Sequence, residues 1–269
     1  MSSETRERVF ECINELGYRP NIIAKNLSES RTYNIGVVIP MNSDETEAPF
    51  FQTCLMGIVK ECALRDCDAE VISTDKRDLT QLIRVVENRK VDNVISADSN
   101  HTEGCKEITS YHLMSNPPDN IGLLLSNMNH TVNKSRYEGF EKAFEAIGEK
   151  PSEKMIYTGV EGSLAFSKAV SALLKQEPRC IICGDDMICM KLLSELNSLG
   201  KSVPEDIRAV SFYDSVYLDH YTPPITFLFF DAGELGAAAA SMLVDSLNGG
   251  DECESVVLGF QMLIRRATM

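Results

Sequence analysis

Short apolar runs alternate with stretches of helical periodicity from residue 33 to the end of the chain. The run Ile35-Gly-Val-Val-Ile39 is continuous and of strand length, which predicts a strand buried on both faces. Further strands are predicted at 69–74, 91–96, 121–126, 154–159, 180–184, 207–213, 225–230 and within 254–265, and helices at 51–65, 79–86, 103–114, 135–146, 163–175, 186–199 and 232–247. Apolar strands separated by helices are typical of parallel sheets covered on both sides. The number of units predicts an α/β fold with two doubly wound lobes.

The first thirty residues follow a different pattern. Val9, Ile13 and Leu16 recur at helical spacing, and Gly17 and Pro20 are the expected C-terminal signals of that helix. A second, shorter helical stretch is predicted at 21–28. An isolated helix of this length is unstable in water, so contacts outside the stretch must order it.

The composition, with 43% hydrophobic and 25% charged residues, is that of a soluble globular protein. No apolar run approaches the roughly 20 residues that span a bilayer, which predicts no membrane partner. The N-terminal residues contain no apolar segment of the secretory-signal type. The chain is therefore expected in the cytoplasm.

The net charge of −14 argues against a protein that coats nucleic acid, because phosphate contacts need basic surface. The charge is unevenly distributed. Residues 1–31 contain five basic and five acidic residues and are neutral, so the remainder of the chain carries the whole deficit. Any contact with DNA is expected from this N-terminal segment.

The nine cysteines include one closely spaced pair, Cys180 and Cys183. The pair lies in an apolar run that predicts a strand, where residues three apart point to opposite faces and cannot bind one metal ion. The chain contains no glycine-rich phosphate loop, no serine nucleophile elbow and no His-Glu-x-x-His motif. We expect no metal, no cofactor, no catalytic residue and no enzyme activity.

Several segments, taken in order, resemble the LacI/GalR family of bacterial transcription regulators. The opening resembles the last helix of the family's DNA-binding headpiece, the next segment its hinge helix, and 32–40 the first strand of its core. The segments that match the family are Thr5-Arg6-Glu-Arg8-Val9, Glu15-Leu16-Gly17-Tyr18-Arg19-Pro20-Asn21, Ile23-Ala24-Lys25-Asn26-Leu27, Pro49-Phe50-Phe51, Arg136-Tyr-Glu-Gly139-Phe140, Asp185-Asp186-Met187, Val203-Pro204-Glu205-Asp206-Ile207, Pro223-Pro224-Ile225-Thr226 and Leu263-Ile264-Arg265. Each match alone is weak, but together they cover nearly the whole chain.

The resemblance implies two α/β lobes of the periplasmic-binding-protein-like type I kind, with a small-molecule effector between them. Residues 1–31 would be a remnant of the helix-turn-helix headpiece plus the hinge helix. The N-terminal lobe would comprise 32–117 and 228–250, and the C-terminal lobe 118–227 and 251–269. The function implied is that of a DNA-binding regulator, a repressor controlled by a sugar or related metabolite and acting as a homodimer on operator DNA.

Three departures from the family pattern are apparent. Met1 falls where the recognition helix, which reads the major groove, should already have ended. Around 97–104 the chain resembles a fusion of the third strand with a later segment, so that roughly thirty residues, about two strands and a helix of a doubly wound lobe, are expected to be missing. Tyr213 stands where the family usually has an aspartate that binds an effector hydroxyl.

The effector site implied by the resemblance contains Phe50, Phe51, Arg136, Asp185 and Tyr213. The phenylalanines either stack on the effector or pack at a helix start, and Arg136 either binds effector oxygens or lies on the surface. Of the two aspartates, Asp186 is expected to cap the helix and Asp185 to remain as the ligand. Tyr213 either offers its hydroxyl to the effector or closes the pocket.

The resemblance places DNA contacts at Ala24, Lys25, Asn26 and Leu27. In the family the hinge-helix leucine wedges between base steps in the minor groove, and the helix becomes ordered on DNA. The alternative for Leu27 is one more apolar residue in a linker. Two functions therefore remain open, which are an effector-controlled DNA-binding regulator and a headless ligand-sensing module or sugar-binding protein of the same fold.

Overall fold

The computed structural model describes residues 3–17, 26, 28–40, 48–74, 78–96, 101–213, 215–249 and 256–268. Its helices are α1 (Ser3–Glu15), α2 (Ala48–Leu64), α3 (Thr80–Glu87), α4 (Thr102–Leu113), α5 (Thr131–Glu145), α6 (Ser163–Leu174), α7 (Asp186–Ser198), α8 (Val216–Asp219) and α9 (Ala232–Leu247). Its strands are β1 (Asn34–Pro40), β2 (Asp68–Thr74), β3 (Asn93–Ser96), β4 (Ile121–Leu124), β5 (Ile156–Tyr157), β6 (Cys180–Cys183), β7 (Arg208–Ser211), β8 (Thr226–Phe229) and β9 (Gln261–Leu263). The alternation predicted from the apolar pattern is confirmed, with boundaries shifted by a few residues.

The chain divides into two compact units. Unit 1 takes Met1–Asn42, Cys54–Ser96 and Gly236–Glu254, and unit 2 takes Ser43–Thr53, Ala97–Leu235 and Ser255–Met269. Each unit contains its own sheet, as a pair of doubly wound lobes requires.

The described part of unit 1 is built on a three-stranded parallel sheet in the order β2-β1-β3. On one face, Ile72, Val85 and Val91 form an apolar cluster with residues of α3 and β3. Helices α2 and α9 cross closely in this unit, because Gly236 has no side chain and lies against the backbone of Cys54.

Unit 2 contains a six-stranded sheet in the order β5-β4-β6-β7-β8-β9, parallel except for the last pair. Helices α6 and α7 supply the apolar residues that cover one face, and α4 and α5 supply those that cover the other. Cys180 belongs to one of these cores and Cys183 to the other. The prediction that the two thiols point to opposite faces of a strand is thus confirmed.

Several segments lie in a different unit from the one predicted, among them 48–53, helix α4 and part of strand β8. Helix α4 lies within 97–117, which the sequence placed in the first lobe, but it packs across α5 in unit 2. Strand β8, whose residues from 228 onwards were predicted in the first lobe, pairs with β7 (Val210 with Thr226) and with β9 (Phe227 with Leu263). The placements of α4 and β8 have the same physical reason. A helix or strand packs on the surface that complements it, and that surface can be far away in sequence.

Helix α4 also buries a histidine that no sequence pattern indicated. His112 is fully buried, and neither ring nitrogen has a hydrogen-bond partner among the described residues. Burial, with the nearby Arg208 charge, lowers the pKa of His112 to about 4. The imidazole is therefore neutral in the folded chain at neutral pH.

We expect the stability of the chain to fall as the pH decreases from 6.5 towards 4. The unfolded histidine, with a pKa near 6.5, takes up its proton first, so unfolding is favoured once the pH is below that value. The contribution of His112 between pH 7 and pH 5 is about 2 kcal/mol. Urea unfolding at a series of pH values measures it. His112→Leu should reduce the dependence by the His112 contribution and leave that of the other buried histidine, His101, whereas His220→Gln, at an exposed position, should leave it unchanged. Equal slopes in all three proteins would contradict the assignment.

Candidate functional site

The strand order of unit 2 reverses between β4 and β6, and ligands of doubly wound sheets bind beyond the carboxyl ends of strands at such a point. Ser126 and the start of α5 follow β4, and Asp185 and Asp186 follow β6. Gly184 allows this approach, since a Cβ there would lie 2.7 Å from a methyl carbon of Leu125. The fold therefore gathers polar side chains from two separate sequence regions at one edge.

Arg136 lies on α5 with only 6% of its surface exposed. Its guanidinium donates to Asn133 Oδ1 at 3.1 Å, and Asn133 is held in turn by its amide, which donates to Ser126 Oγ at 2.8 Å and to the Asn127 carbonyl at 3.0 Å. The Arg136 Nε is buried and has no hydrogen-bond partner in the described chain. Of the two alternatives for Arg136, the surface position is excluded by this burial, and its contact with an effector stays a prediction.

Asp185 is the residue that caps α7. Its Oδ1 accepts the backbone N–H of Ile188 at 2.8 Å, whereas the sequence assigned the capping role to Asp186, and that assignment is corrected. One oxygen is still available, because Asp185 Oδ2 is buried and unpartnered among the described residues. Burial raises the pKa of Asp185, and the nearby Arg136 charge acts in the opposite direction. The Asp185 carboxylate can therefore cap α7 with one oxygen and bind a ligand with the other.

Asp186, the first residue of α7, is as deeply buried as its neighbour. It is 1% exposed, and its Oδ1 has no hydrogen-bond partner within the described ranges. Burial raises the pKa of this carboxyl group too. The site thus contains two adjacent buried carboxyl groups, of which Asp185 lies near the Arg136 guanidinium, and this set offers both donors and acceptors.

The three aromatic candidates form a second group. Phe50 and Phe51 lie at the start of α2 with ring centroids 5.6 Å apart, and the Phe50 ring is 6.3 Å from that of Tyr213, edge to face. Tyr213 follows β7, and its backbone N–H donates to Ser211 Oγ at 3.2 Å. The phenylalanines are half-buried and Tyr213 is nearly buried. The structure therefore joins Phe50, Phe51 and Tyr213, and separately Arg136 and Asp185.

His101 is a site residue that the sequence analysis missed. It occupies the N-cap position of α4, its backbone N–H donates to Ser135 Oγ at 3.2 Å, and its ring centroid is 4.3 Å from that of Phe230. Burial and the nearby Arg136 charge lower its pKa to about 3, so the ring is neutral. The only signal in the sequence was a histidine directly before a predicted helix start, which carries no specific meaning by itself.

Of the four predicted DNA-contacting residues, Ala24, Lys25 and Leu27 lie outside the described residues. Asn26 is half-buried and donates its amide N–H to the Thr32 carbonyl at 2.8 Å. The following residues are anchored to unit 1, since Asp92 accepts the backbone N–H groups of Thr32 and Tyr33 at 2.7 and 2.8 Å. The segment after the predicted hinge therefore has a fixed attachment at the start of β3.

Within the described ranges, no three His, Cys, Asp or Glu side chains are grouped as metal ligands would be. No described helix is long and apolar enough to cross a membrane.

Comparison with known proteins identifies this arrangement. Residues 111–269, more than half of the chain, match the family described as periplasmic binding protein-like domain. The HTH-type transcriptional repressor PurR of Pasteurella multocida (strain Pm70) is 23% identical over 311 positions, with 99% of this chain and 90% of the relative covered. Because this chain has only 269 residues, at least 42 of those positions have no counterpart in it. The relative thus contains residues that this chain lacks.

Solved structures show the same fold. The Lac repressor bound to ONPG in the repressed state superposes with a TM-score of 0.79 and 18% identity, covering 100% of this chain and 92% of that one. The complex of the transcriptional regulator CelR with cellobiose gives a TM-score of 0.76 and 21% identity, covering 99% and 91%. With the family match and the repressor relatives, the chain belongs to the periplasmic binding protein-like domain family and, within it, to the LacI/GalR family of transcriptional regulators.

Proposed function

We propose that this chain is a DNA-binding transcription regulator, a repressor whose DNA affinity is controlled by a small molecule. The observation that carries the proposal is the group of buried polar atoms with no partner in the described chain, Arg136 Nε, Asp185 Oδ2 and Asp186 Oδ1. Leaving such groups unsatisfied is costly, and a polar effector that supplies the missing partners removes that cost. No residue of the site is assigned a catalytic role.

The effector class that fits these atoms is a sugar or a related polyhydroxyl metabolite. A hydroxyl group both donates and accepts, so neighbouring hydroxyls can donate to Asp185 and Asp186 and accept from Arg136. The rings of Phe50 and Tyr213 offer an apolar surface for the C–H face of a sugar ring. A structural neighbour described as a complex with cellobiose supports this class.

The DNA contacts are proposed at Ala24, Lys25, Asn26 and Leu27, in the neutral N-terminal segment of an otherwise acidic chain. Lys25 would contact phosphate and Leu27 would enter the minor groove. Thr32 and Tyr33, held by Asp92, connect this segment to β3. A displacement of β3 would therefore be passed directly to the hinge.

A homodimer in the cytoplasm is proposed as the acting form. Leu79, Ile83 and Val86 follow one another at helical spacing along α3, and each is about half exposed, with exposed fractions of 50%, 52% and 48%. A contiguous apolar stripe on a soluble protein indicates an interaction surface. Two copies of the stripe, related by a twofold axis, would cover each other.

A chimera tests the proposed function. Residues 1–31 are replaced by the complete headpiece and hinge of the Pasteurella multocida PurR relative, and a reporter gene is placed behind that relative's operator. We expect repression, because residues 32–269 would supply the dimer and the effector control. A panel of monosaccharides, disaccharides and nucleosides should contain at least one compound that changes reporter expression. A soluble chimera that neither represses nor responds would overturn the proposal.

A further inference from the structure

Two cysteines lie together at the C-terminal end of α2. Cys62 is in the last turn of this helix, and Cys67 directly precedes β2. The backbone N–H of Cys67 donates to the carbonyl oxygen of Cys62 at 2.9 Å, and Asp66 has a left-handed φ of 54°. This bond and this conformation are those of a Schellman motif, in which the side chains of the two bonded residues are frequently in contact. The end of the helix therefore brings two thiols together.

The hydrogen bond limits the distance between the two cysteines. Standard bond lengths fix the distance from each Cα atom to the bonded nitrogen or oxygen. The Cα atoms of Cys62 and Cys67 are therefore at most about 6.8 Å apart, and any bend in the path shortens that distance. A disulfide spans Cα atoms about 4.4–6.8 Å apart. The Cys67 thiol donates to the Arg65 carbonyl at 3.6 Å, so its sulfur is turned back over the helix end. The backbone already has the spacing that a disulfide requires.

The two thiols differ in their access to solvent. Cys67 is half-buried, whereas Cys62 is only 1% exposed. An oxidant from solution can therefore reach Cys67, and Cys62 is the buried neighbour that can resolve the oxidised sulfur. The described residues offer no group of three His, Cys, Asp or Glu side chains that would complete a metal site here. The pair is therefore suited to oxidation rather than to metal binding.

We propose that Cys62 and Cys67 are a redox-sensitive pair, which hydrogen peroxide converts into an intramolecular disulfide. The Cys67 thiolate attacks one peroxide oxygen, so that an S–O bond forms, the O–O bond breaks and hydroxide leaves. Cys62 then loses its proton, and its sulfur attacks the Cys67 sulfur, so that the S–S bond forms and the S–O bond breaks. The two thiols lose two electrons and two protons, and the peroxide is reduced to two water molecules.

The environment of the pair makes this reaction slow at neutral pH. Burial raises the pKa of the Cys67 thiol, and the negative charges of Asp92, Asp66 and Asp68 raise it further. The nearby Arg31 charge acts in the opposite direction. Burial raises the pKa of the second thiol as well. Because the thiolate is the nucleophile, the rate of oxidation should rise about tenfold from pH 7 to pH 8.

Tryptic peptide mapping of the 269-residue chain tests the proposal, because trypsin cleaves after Arg65, between the two cysteines. The folded protein is treated with hydrogen peroxide, its remaining thiols are blocked with N-ethylmaleimide, and the digest is analysed by mass spectrometry. Peptides 61–65 and 66–76 should be joined by a disulfide, in protein that runs as a single chain on non-reducing electrophoresis. Dithiothreitol should separate the two peptides and restore both thiols.

The controls distinguish a specific pair from general oxidation. Peptide 180–191 contains three cysteines that are each 0% exposed, so it should stay fully reduced. Cys62→Ala should leave Cys67 without a resolving thiol, and its oxidation should continue to the sulfinic acid, which dithiothreitol does not reverse. Cys189→Ala, a matched change of a buried cysteine elsewhere, should leave the link between the two peptides unchanged.

Three results would overturn the proposal. Sulfinic acid at Cys67 of the parent chain, with no link to Cys62, would show that the two sulfurs do not meet. A Cys67 thiol that stays reduced even at pH 8 would show that peroxide does not reach it. Oxidation of peptide 180–191 at the same rate would show that peroxide reacts with unfolded chain instead.

The inference goes beyond the proposed function and does not depend on it. The readout is a covalent bond in the 269-residue chain and needs neither DNA nor an effector, so a chimera that fails to repress leaves it unaffected. The backbone N–H of Asp68, which follows Cys67, donates to the Tyr33 carbonyl at 2.8 Å. The disulfide would therefore form beside the segment that leads from the predicted hinge into β1.

Discussion

Replacing Arg136 by alanine should abolish ligand stabilisation of the chain. A ligand at a hundred times its dissociation constant stabilises the folded state by about 2.7 kcal/mol, which corresponds to a rise of roughly 5–10 °C in melting temperature for a chain of this size. Arg136 is 6% exposed, and its charge acts on the buried Asp185 more strongly than that of Lys191 does. Hydrogen bonds to a charged group contribute about 1.5–3 kcal/mol each, so losing two of them weakens binding by roughly a hundredfold or more.

The measurement is differential scanning fluorimetry with the panel compound that raises the melting temperature of the parent chain. Without ligand, Arg136→Ala should melt close to the parent, because the lost bond to Asn133 is offset by removal of a buried, unpartnered Nε. Lys134→Ala is the matched control, an exposed basic residue on the same helix. An undiminished shift in Arg136→Ala would remove Arg136 from the site.

Gly139→Ala should be the most destabilising small substitution in unit 2. A Cβ at this position would overlap the Thr102 carbonyl oxygen and lie 2.8 Å from Cys105 Cβ and 3.0 Å from the Lys106 backbone nitrogen. Two of these atoms belong to the backbone of α4, which cannot turn aside as a flexible side chain can. Helices α4 and α5 would have to separate, and overpacking of this kind typically costs 1–3 kcal/mol or more, even though alanine favours a helix by about 1 kcal/mol.

We expect a net loss of about 3 kcal/mol in the free energy of unfolding, measured by urea denaturation. Gly259→Ala is the control, since a Cβ there would meet no atom within 4 Å and the backbone does not require glycine. Because α4 and α5 carry His101 and Arg136, the substitution should also weaken effector binding. An ordinary surface substitution changes the free energy of unfolding by no more than about 0.5 kcal/mol. If Gly139→Ala stays within that range of the parent, α4 and α5 can adjust to the added methyl group, and the prediction is wrong.

Much of the fold could be predicted because periodicity is a local property. A continuous apolar run such as Ile181-Ile182 indicates a strand buried on both faces, and a stripe with a repeat of 3.6 indicates a helix with one covered side. The opposite orientation of Cys180 and Cys183 follows from the same rule. The candidates Arg136 and Asp185 came from a resemblance in sequence order, together with the rule that ligands bind beyond strand carboxyl ends.

The sequence by itself determined the types of the elements, their order, the two doubly wound lobes and the family. Only the tertiary structure decided which elements meet. Helix α4 packs on α5 because Gly139 lets the backbones approach, and β8 pairs with β7 and β9 rather than with the first lobe. Asp185, not Asp186, caps α7, and His101 is buried beside Phe230 and near Arg136. The cap is a local contact, three residues apart, that depends on the backbone geometry at the start of α7. The other choices depend on contacts between residues tens of positions apart, which local periodicity does not encode.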